Sequence, residues 1–410
     1  MSTTNRFTAK FNLSARDWGA LFLLWLTGAS LRITMLAVPP VLPLIRQDLQ
    51  LTERGVGALS GLPVVVLAFG ALFGSILLSR MGAHRALVIG LLITAIAGAL
   101  RGLGTDTATL FFMTFAMGLG IAIMQPVLPT LVGRWFLRRA GMATAVYVNG
   151  LLIGEILSAS LTIPYVLPLV GGSWEWSFVI WSVPVLLNAA LFVAATWKRG
   201  GADASTMNAA IEAAGWWPDW RDGRIWRIGL ILGCASTIYF TTNAFVPDYL
   251  ESQGHEDWIG VALTTLNTAQ IPASLTIFAY SNKLVGRPGP FVAAGIIAVI
   301  ATAGLVLAAN PLWISIWAGV LGFVASSVLI LTLSLPPICT SPDDVHRFSA
   351  GILLIGYFVS FLTPIISGVV WDITQLPATA FAIVGCAGVL LIGLAKSVGP
   401  SAGAQKLSSD

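Results

Sequence analysis

Residues 18–44 read WGALFLLWLTGASLRITMLAVPPVLPL, and Arg32 is the one charged residue among them. The stretch is long enough to cross about 30 Å of hydrocarbon. An arginine near the bilayer centre costs roughly 2.5–3.5 kcal/mol on insertion scales. We therefore expect Arg32 to face the protein interior, a water-filled cavity or a ligand. Because a guanidinium forks onto carboxylate-like oxygens, a ligand at Arg32 would be an anion; the alternative is a structural ion pair with another helix.

The rest of the chain has the same apolar character. Of its 410 residues, 56% are hydrophobic and 10% are charged, against about 25% charged in soluble domains. This composition predicts an all-α membrane protein with twelve transmembrane helices. The predicted spans are 17–44, 55–78, 86–104, 108–132, 141–169, 174–197, 226–250, 258–281, 288–308, 312–337, 349–371 and 377–395.

The basic residues predict the orientation of these spans. With an even number of spans both termini lie on one side, and positive charge marks the cytoplasmic side. Eighteen of the 22 Lys and Arg residues fall on one side, whereas Arg46 and Arg54 fall on the other and Arg32 and Arg101 lie within spans. We expect a multi-pass protein of the bacterial inner membrane, in contact with lipid, with both termini cytoplasmic. The residues on that side are Arg6, Lys10, Arg16, Arg80, Arg85, Arg134, Arg138, Arg139, Lys198, Arg199, Arg221, Arg224, Arg227, Lys283, Arg287, Arg347, Lys396 and Lys406.

The chain divides into two six-helix halves. Residues 1–197 form the N-terminal half, 198–225 a polar cytoplasmic linker, and 226–410 the C-terminal half. Trp216, Trp217 and Trp220 suit a short amphipathic segment of the linker at the lipid headgroups. Prolines recur in spans one, four, seven and ten, and this pattern indicates interrupted helices along a substrate pathway between repeats. They are Pro39, Pro40, Pro43, Pro126, Pro129, Pro247, Pro336 and Pro337.

Two further charges lie within predicted spans. Arg101 is about one turn from the outer end of its span, where it can snorkel to the interface, act in an outer gate or bind a backbone carbonyl. Glu155 is a candidate proton carrier, since carboxyl groups in apolar surroundings resist ionisation. The alternative is that Glu155 is the internal counter-ion of Arg32.

The chain resembles the major facilitator superfamily, and within it the cyanate and 2-nitroimidazole permease family. Gly74, Arg80, Gly82 and Arg85 are similar to the superfamily's motif between spans two and three, with Ser79 where that motif has Asp. Glu155 departs from the family, which has a small residue there. The stretches similar to the permease family are Leu31 and Arg32, 40–46, 99–101, 118–125, 134–136, Tyr239, 245–247, Gln270 and 364–368.

The resemblance implies a carrier with 3+3 inverted repeats in each half and a central cavity open alternately to each side. The superfamily lines that cavity with the first helix of each three-helix unit. Gating is expected at Arg46, Arg80, Gly82, Arg85 and Arg101, and proton coupling at Glu155. Helix–helix hydrogen bonding is the alternative for each polar residue. The predicted substrate-binding residues are Arg32, Gln125, Tyr147, Asn149, Tyr239, Asn243, Asn267, Gln270, Tyr357 and Phe361.

The predicted function is secondary transport of a small anion or small polar compound, such as a cyanate-like anion, a small carboxylate or a nitroimidazole. The alternative is a proton-coupled exporter of the same fold, although Glu155 stands where such antiporters pair Gly with Pro. We expect a monomer that is not an enzyme, binds no nucleic acid and holds no metal or cofactor. Cys234, Cys339 and Cys386 lack metal-ligand spacing, and no phosphate-binding loop with Lys-Ser or Lys-Thr occurs.

Overall fold

The computed structural model describes residues 13–103, 106–196, 215–396 and 398. Within these ranges the regular secondary structure is helical, and twelve elements that cross the bundle are labelled α1 to α12. Six belong to each half. Their bounds are α1 Ala15–Ser30 and Val38–Leu49; α2 and α3 the two parts of Glu53–Leu103 on either side of Gly82; α4 Thr107–Phe136; α5 Ala140–Leu161 with Thr162–Val166 and Leu167–Leu169; α6 Trp174–Thr196; α7 Gly223–Ser252; α8 Ile259–Thr268 and Gln270–Leu284; α9 Pro288–Leu307; α10 Pro311–Leu333 and Pro336–Cys339; α11 Val345–Thr374; and α12 Pro377–Phe381 with Ala382–Ala395.

The predicted spans match these elements, with differences at the turns and interruptions. The turn between α2 and α3 is the single residue Gly82, whose φ of 79° lies in the left-handed region that glycine adopts without a Cβ clash. The first span is not continuous, since residues 31–37 form turns between its two helical pieces. The second piece then continues to Leu49, beyond the predicted end at 44.

Eight stretches of the described residues are long and apolar enough to cross a membrane by themselves. Two of them, Gly61–Leu103 and Thr107–Leu169, each hold two crossings, so the eight account for ten helices. The other two are α1 and α8. Each is broken into pieces shorter than 18 residues, α1 by the turns at 31–37 and α8 at Ala269.

The proline pattern predicted interruptions correctly in two helices and wrongly in two. Proline lacks an N–H and clashes with the carbonyl four residues before it, so it favours the first turn of a helix. Pro39 and Pro336 lie in the first turns of the second pieces of α1 and α10 in this way. In contrast, α4 runs without a break through Pro126 and Pro129, and α7 runs through Pro247.

The two halves meet along α2, α4 and α5 on one side and α8, α10 and α11 on the other. We call the side of the α2–α3, α4–α5, α8–α9 and α10–α11 turns the basic side. There Gly133 of α4 packs on Pro337 of α10, and Gly141 of α5 packs on Ser281 and Val285 at the end of α8. The space between the halves is therefore closed at the basic side.

The predicted linker is only partly described, since residues 197–214 lie outside the described ranges. The remaining part, residues 215–222, is largely non-helical and contains the Trp216–Trp217–Trp220 cluster. Ser75 Oγ of α2 donates to the Trp216 carbonyl at 2.7 Å. His346 Nε2 of α11 lies 3.0 Å from the Gly215 carbonyl, so this segment contacts both halves at the basic side. Arg6, Lys10, Lys198, Arg199 and Lys406, which entered the orientation argument, also lie outside the described residues.

Candidate substrate cavity

A cavity lies between the two halves at mid-depth, lined by residues of both. Its walls are mainly apolar, with a few polar groups, as is usual for a small-ligand site. Leu333 of α10 and Leu353 of α11 lie toward the basic side, just above the helix ends that meet there. The residues proposed from sequence that line this cavity are Arg32, Gln125, Tyr147, Glu155, Tyr239, Gln270 and Tyr357.

Close packing of α1 on α5 brings Arg32 and Glu155 to the same wall. A Cβ at Gly150 would collide with the Trp25 carbonyl, and one at Gly154 would collide with the Ala29 carbonyl. Only glycine permits this approach of the two backbones. The last turn of the first α1 piece is thereby fixed against α5, and the chain enters the interruption with Arg32 at the cavity.

Arg32 lies within the interrupted part of α1. Its Nη1 donates to the Met35 sulfur at 3.4 Å. Among the described residues, no carboxylate lies within 4.0 Å of the guanidinium, so the predicted alternative of an Arg32–Glu155 ion pair is wrong. Arg32 lines the same cavity as Tyr239 and Tyr357.

Arg101 of α3 binds the backbone of the same interrupted part of α1. Its side chain is 1% exposed, so the predicted snorkelling to the interface is wrong. Nη2 donates to the Thr34 carbonyl at 2.7 Å, and the guanidinium carbon lies 4.2 Å from the centre of the Phe178 ring of α6. Backbone-carbonyl binding was one of the predicted roles, and the carbonyl belongs to the turns that carry Arg32.

Gln125 and Tyr357 form a polar bridge between α4 and α11. Gln125 Nε2 donates to Tyr357 Oη at 2.7 Å. Because the phenol oxygen is the acceptor in this bond, its own proton remains available to a molecule in the cavity. Tyr147 of α5 lines the same cavity.

Glu155 and Tyr239 form a second bridge between the halves. Tyr239 Oη lies 2.7 Å from Glu155 Oε1 and 2.7 Å from Asn267 Oδ1. Asn267 Nδ2 donates to the Leu263 carbonyl at 2.9 Å, and Gln270 Nε2 donates to Asn267 Oδ1 at 3.4 Å. Asn267 thus lies behind the cavity wall and supports two residues that line it.

The other proposed substrate-binding residues lie away from the cavity lining. Asn149 of α5 accepts from Trp25 Nε1 of α1 at 3.0 Å and donates to Ser274 Oγ of α8 at 2.9 Å. It therefore connects two helices of the N-terminal half and connects that half to the C-terminal half. Asn243 and Phe361 do not line the cavity, and Phe361 is 37% exposed. Ser236 and Ser326 also line the cavity, although the sequence did not predict it. Serine is so common in membrane helices that nothing in the sequence distinguished these two from the others.

The proposed gating residues lie at the two ends of the bundle. Arg80 and Arg85 are exposed on either side of the Gly82 turn at the basic side. Arg46 is exposed near the end of α1 at the opposite side. None of them lines the cavity, and their role in gating stays a prediction.

The family model of the Major Facilitator Superfamily matches residues 22–364. The chain belongs to the Major Facilitator Superfamily. The match covers most of both halves, so the predicted fold of twelve transmembrane helices in two six-helix halves is confirmed. As a member of this superfamily the chain is an integral membrane transporter and not an enzyme, as the sequence predicted.

Two curated superfamily members show the relationship in more detail. The cyanate transport protein CynX of Escherichia coli (strain K12) is 26% identical over 379 residues, which cover 91% of this chain and 96% of that protein. The 2-nitroimidazole transporter of the same organism is 26% identical over 345 residues, covering 84% of this chain and 86% of that protein. The predicted resemblance to the cyanate and 2-nitroimidazole permeases is confirmed.

A solved superfamily structure supports the fold independently. The proton:xylose symporter XylE, bound to 6-bromo-6-deoxy-D-glucose, superposes with a TM-score of 0.73 and covers 96% of this chain and 99% of that one. The sequence identity is 14%. At that identity the likeness concerns the arrangement of the helices.

Proposed function

We propose that this transporter carries a small anion across the bacterial inner membrane by alternating access, with Arg32 as the residue that binds the anion. The main observation is that Arg32 faces a cavity between the halves and, among the described residues, has no carboxylate within 4.0 Å. Arg32 is half-buried within the membrane-spanning part of the bundle, where a cation without a counter-ion is costly. An anion in the cavity would offset this cost.

The neighbours of Arg32 favour a small anion with several acceptor atoms. Tyr357 offers its hydroxyl proton because Gln125 occupies its oxygen as a donor, and Tyr147 and Gln270 line the same space. Cyanate-like anions and small carboxylates fit this set of donors. Nitroimidazole-like compounds would use the aromatic walls in addition. The transport activities named for the two Escherichia coli relatives belong to these same classes.

We further propose proton symport with Glu155 as the coupling residue. Glu155 shares the cavity with Arg32 but accepts its hydrogen bond from Tyr239 instead of pairing with the arginine. An anion on Arg32 would reduce the positive charge beside Glu155 and so favour a proton on the carboxyl. In the proposed orientation the termini and the basic side are cytoplasmic, and the transporter acts as a monomer.

The test is a thermal-stability screen of the purified transporter against cyanate, nitrate, acetate and 2-nitroimidazole. A ligand that binds only the folded state stabilises it by about 2.7 kcal/mol at a hundredfold excess over Kd. We expect one of these anions to raise the melting temperature of the wild type and of an Arg227→Ala control, which removes an exposed arginine of α7. Arg32→Ala should weaken binding roughly tenfold to a hundredfold, since a charge-assisted bond contributes about 1.5–3 kcal/mol.

Unchanged binding in Arg32→Ala would reject the anion proposal. Stabilisation by neutral or cationic compounds in its place would favour an exporter of the same fold. Counterflow of the labelled anion in proteoliposomes then measures transport itself, and its dependence on an imposed pH gradient tests the proton coupling.

A further inference from the structure

The charges that line the cavity all come from one half of the transporter. Among the described residues of the lining, the charged ones are Arg32 and Glu155, and both belong to the N-terminal half. The C-terminal half contributes uncharged residues, and four of them are leucines that we call the leucine floor. They are Leu232 on α7, Leu329 and Leu333 on α10, and Leu353 on α11.

The leucine floor lies nearer to the basic side than the polar groups on the same helices. α7 and α11 both start at the basic side, and there Leu232 precedes Tyr239 by seven residues and Leu353 precedes Tyr357 by four. α10 runs in the opposite direction, and its two leucines of the floor follow Ser326. At a rise of 1.5 Å per residue, the floor lies about 6–10 Å below the hydroxyl groups of α7 and α11. It is a separate apolar layer of the cavity.

Close packing of α7 on α11 fixes this layer. Leu232 occupies the space that a side chain at Gly356 would need, and Leu353 lies one turn away on the same helix. Both leucines are buried, and the helix ends that close the basic side lie just beyond them. Apolar cavities hold water poorly, so this closed end of the cavity favours a hydrocarbon group over water or a second polar group.

We infer that the substrate is a monocarboxylate with an apolar tail, whose carboxylate binds Arg32 and whose tail lies on the leucine floor. The inference narrows the proposed function and rests on it. Tyr357 lies one turn above Leu353, so one molecule can reach both the phenol donor and the floor. A cyanate or nitrate ion has no apolar part and would leave the floor uncovered. A dicarboxylate would bring a second charge against the leucines, which is costly because that charge has no partner there.

Calorimetric titration of the purified wild-type transporter with the series from acetate to hexanoate tests the inference. Burying one methylene group lowers Kd about fourfold, and we expect this factor for each carbon added from butyrate to hexanoate. Cyanate and nitrate should bind more weakly than hexanoate. An affinity that does not rise along the series, or cyanate binding that is tighter than hexanoate binding, overturns the inference.

Glutarate and pentanoate form a matched pair in the same experiment. Glutarate has the length of pentanoate, with a second carboxylate in place of the terminal methyl group. We expect glutarate to bind roughly a hundredfold more weakly, because its second charge would lose its water on the leucine floor. Equal or tighter binding of glutarate overturns the inference.

Leu329→Asn tests the position of the tail. Leu329 is the half-buried member of the floor, and the change places a polar group there. We expect hexanoate to bind roughly tenfold more weakly, since the variant loses most of one buried leucine contact, while acetate binds as to the wild type. Leu312→Asn is the matched control on the same helix, since Leu312 is 47% exposed and lies outside the cavity. Equal hexanoate affinities of Leu329→Asn and the wild type overturn the inference.

Arg32→Ala separates the inference from the proposed function. We expect it to weaken acetate and hexanoate by the same factor, because the tail does not contact Arg32. A flat series in the wild type whose members still lose affinity in Arg32→Ala overturns the inference and leaves the anion carrier standing. A rising series that Arg32→Ala does not weaken overturns the proposed function, and with it the carboxylate end of the inference.

Discussion

At the scale of single residues, we predict that the Tyr357 hydroxyl donates a hydrogen bond to the anion in the mostly apolar cavity. Gln125 Nε2 donates to its oxygen, which directs the phenol proton to the cavity. Tyr357→Phe keeps the ring and removes this donor. Because one hydrogen bond contributes about 1 kcal/mol, we expect the anion Kd to rise about fivefold. Calorimetric titration with the anion found in the screen measures the change.

Tyr165→Phe is the matched control, since Tyr165 is 64% exposed on the outside of α5. Its Kd should equal that of the wild type. Equal affinities of Tyr357→Phe and the wild type would mean that the substrate does not reach Tyr357.

At the scale of helices, the interruption of α1 depends on Arg101. The guanidinium binds the Thr34 carbonyl and stacks on Phe178, and so fixes the turns that carry Arg32. Arg101→Met keeps a long apolar side chain but releases that carbonyl. We expect anion binding to weaken about fivefold, from the loss of roughly 1 kcal/mol in positioning, while the melting temperature stays near the wild-type value because apolar groups often replace buried charges without loss of stability.

The anion affinity of Arg101→Lys should fall between those of the wild type and Arg101→Met. An ammonium group can reach the carbonyl, but it does not stack on a ring as a planar guanidinium does. Kd and melting temperature are measured on the same samples. A parallel loss of stability and affinity would indicate a general packing role for Arg101, and an unchanged affinity would show that the tether does not position Arg32.

Sequence patterns gave the number and approximate bounds of these helices but not their interruptions or rotations. The span predicted at 226–250 corresponds to the helix Gly223–Ser252 in the structure. The agreement is close because the length of an apolar run determines where a helix can cross the bilayer. In contrast, Arg101 faces inward and Asn243 lies off the cavity, because rotation of a membrane helix is set by its neighbours. The contact of Glu155 with Tyr239 joins residues 84 positions apart in different halves, and no local pattern encodes it.

At the scale of the whole molecule, the packing of Gly141 on α8 closes the basic side. A Cβ at this position would collide with Val285 and press on Ser281. Gly141→Val should therefore destabilise the closed arrangement and shift the population toward the state open at the basic side, because packed interfaces rearrange between discrete states. In the proposed orientation that state admits reagents from the cytoplasm to the cavity floor at Leu333.

The shift can be measured on a Leu333→Cys background in which Cys234, Cys339 and Cys386 are changed to Ser. A membrane-impermeant maleimide should label Leu333→Cys several times faster in inverted vesicles when Gly141→Val is added. Gly393→Val is the matched control, since a Cβ at Gly393 of α12 has no atom within 4 Å, and its labelling rate should not change. Equal rates in the two double variants would show that the contact of α5 with α8 does not hold the basic side closed, and the closure would then depend on Gly133 and Pro337.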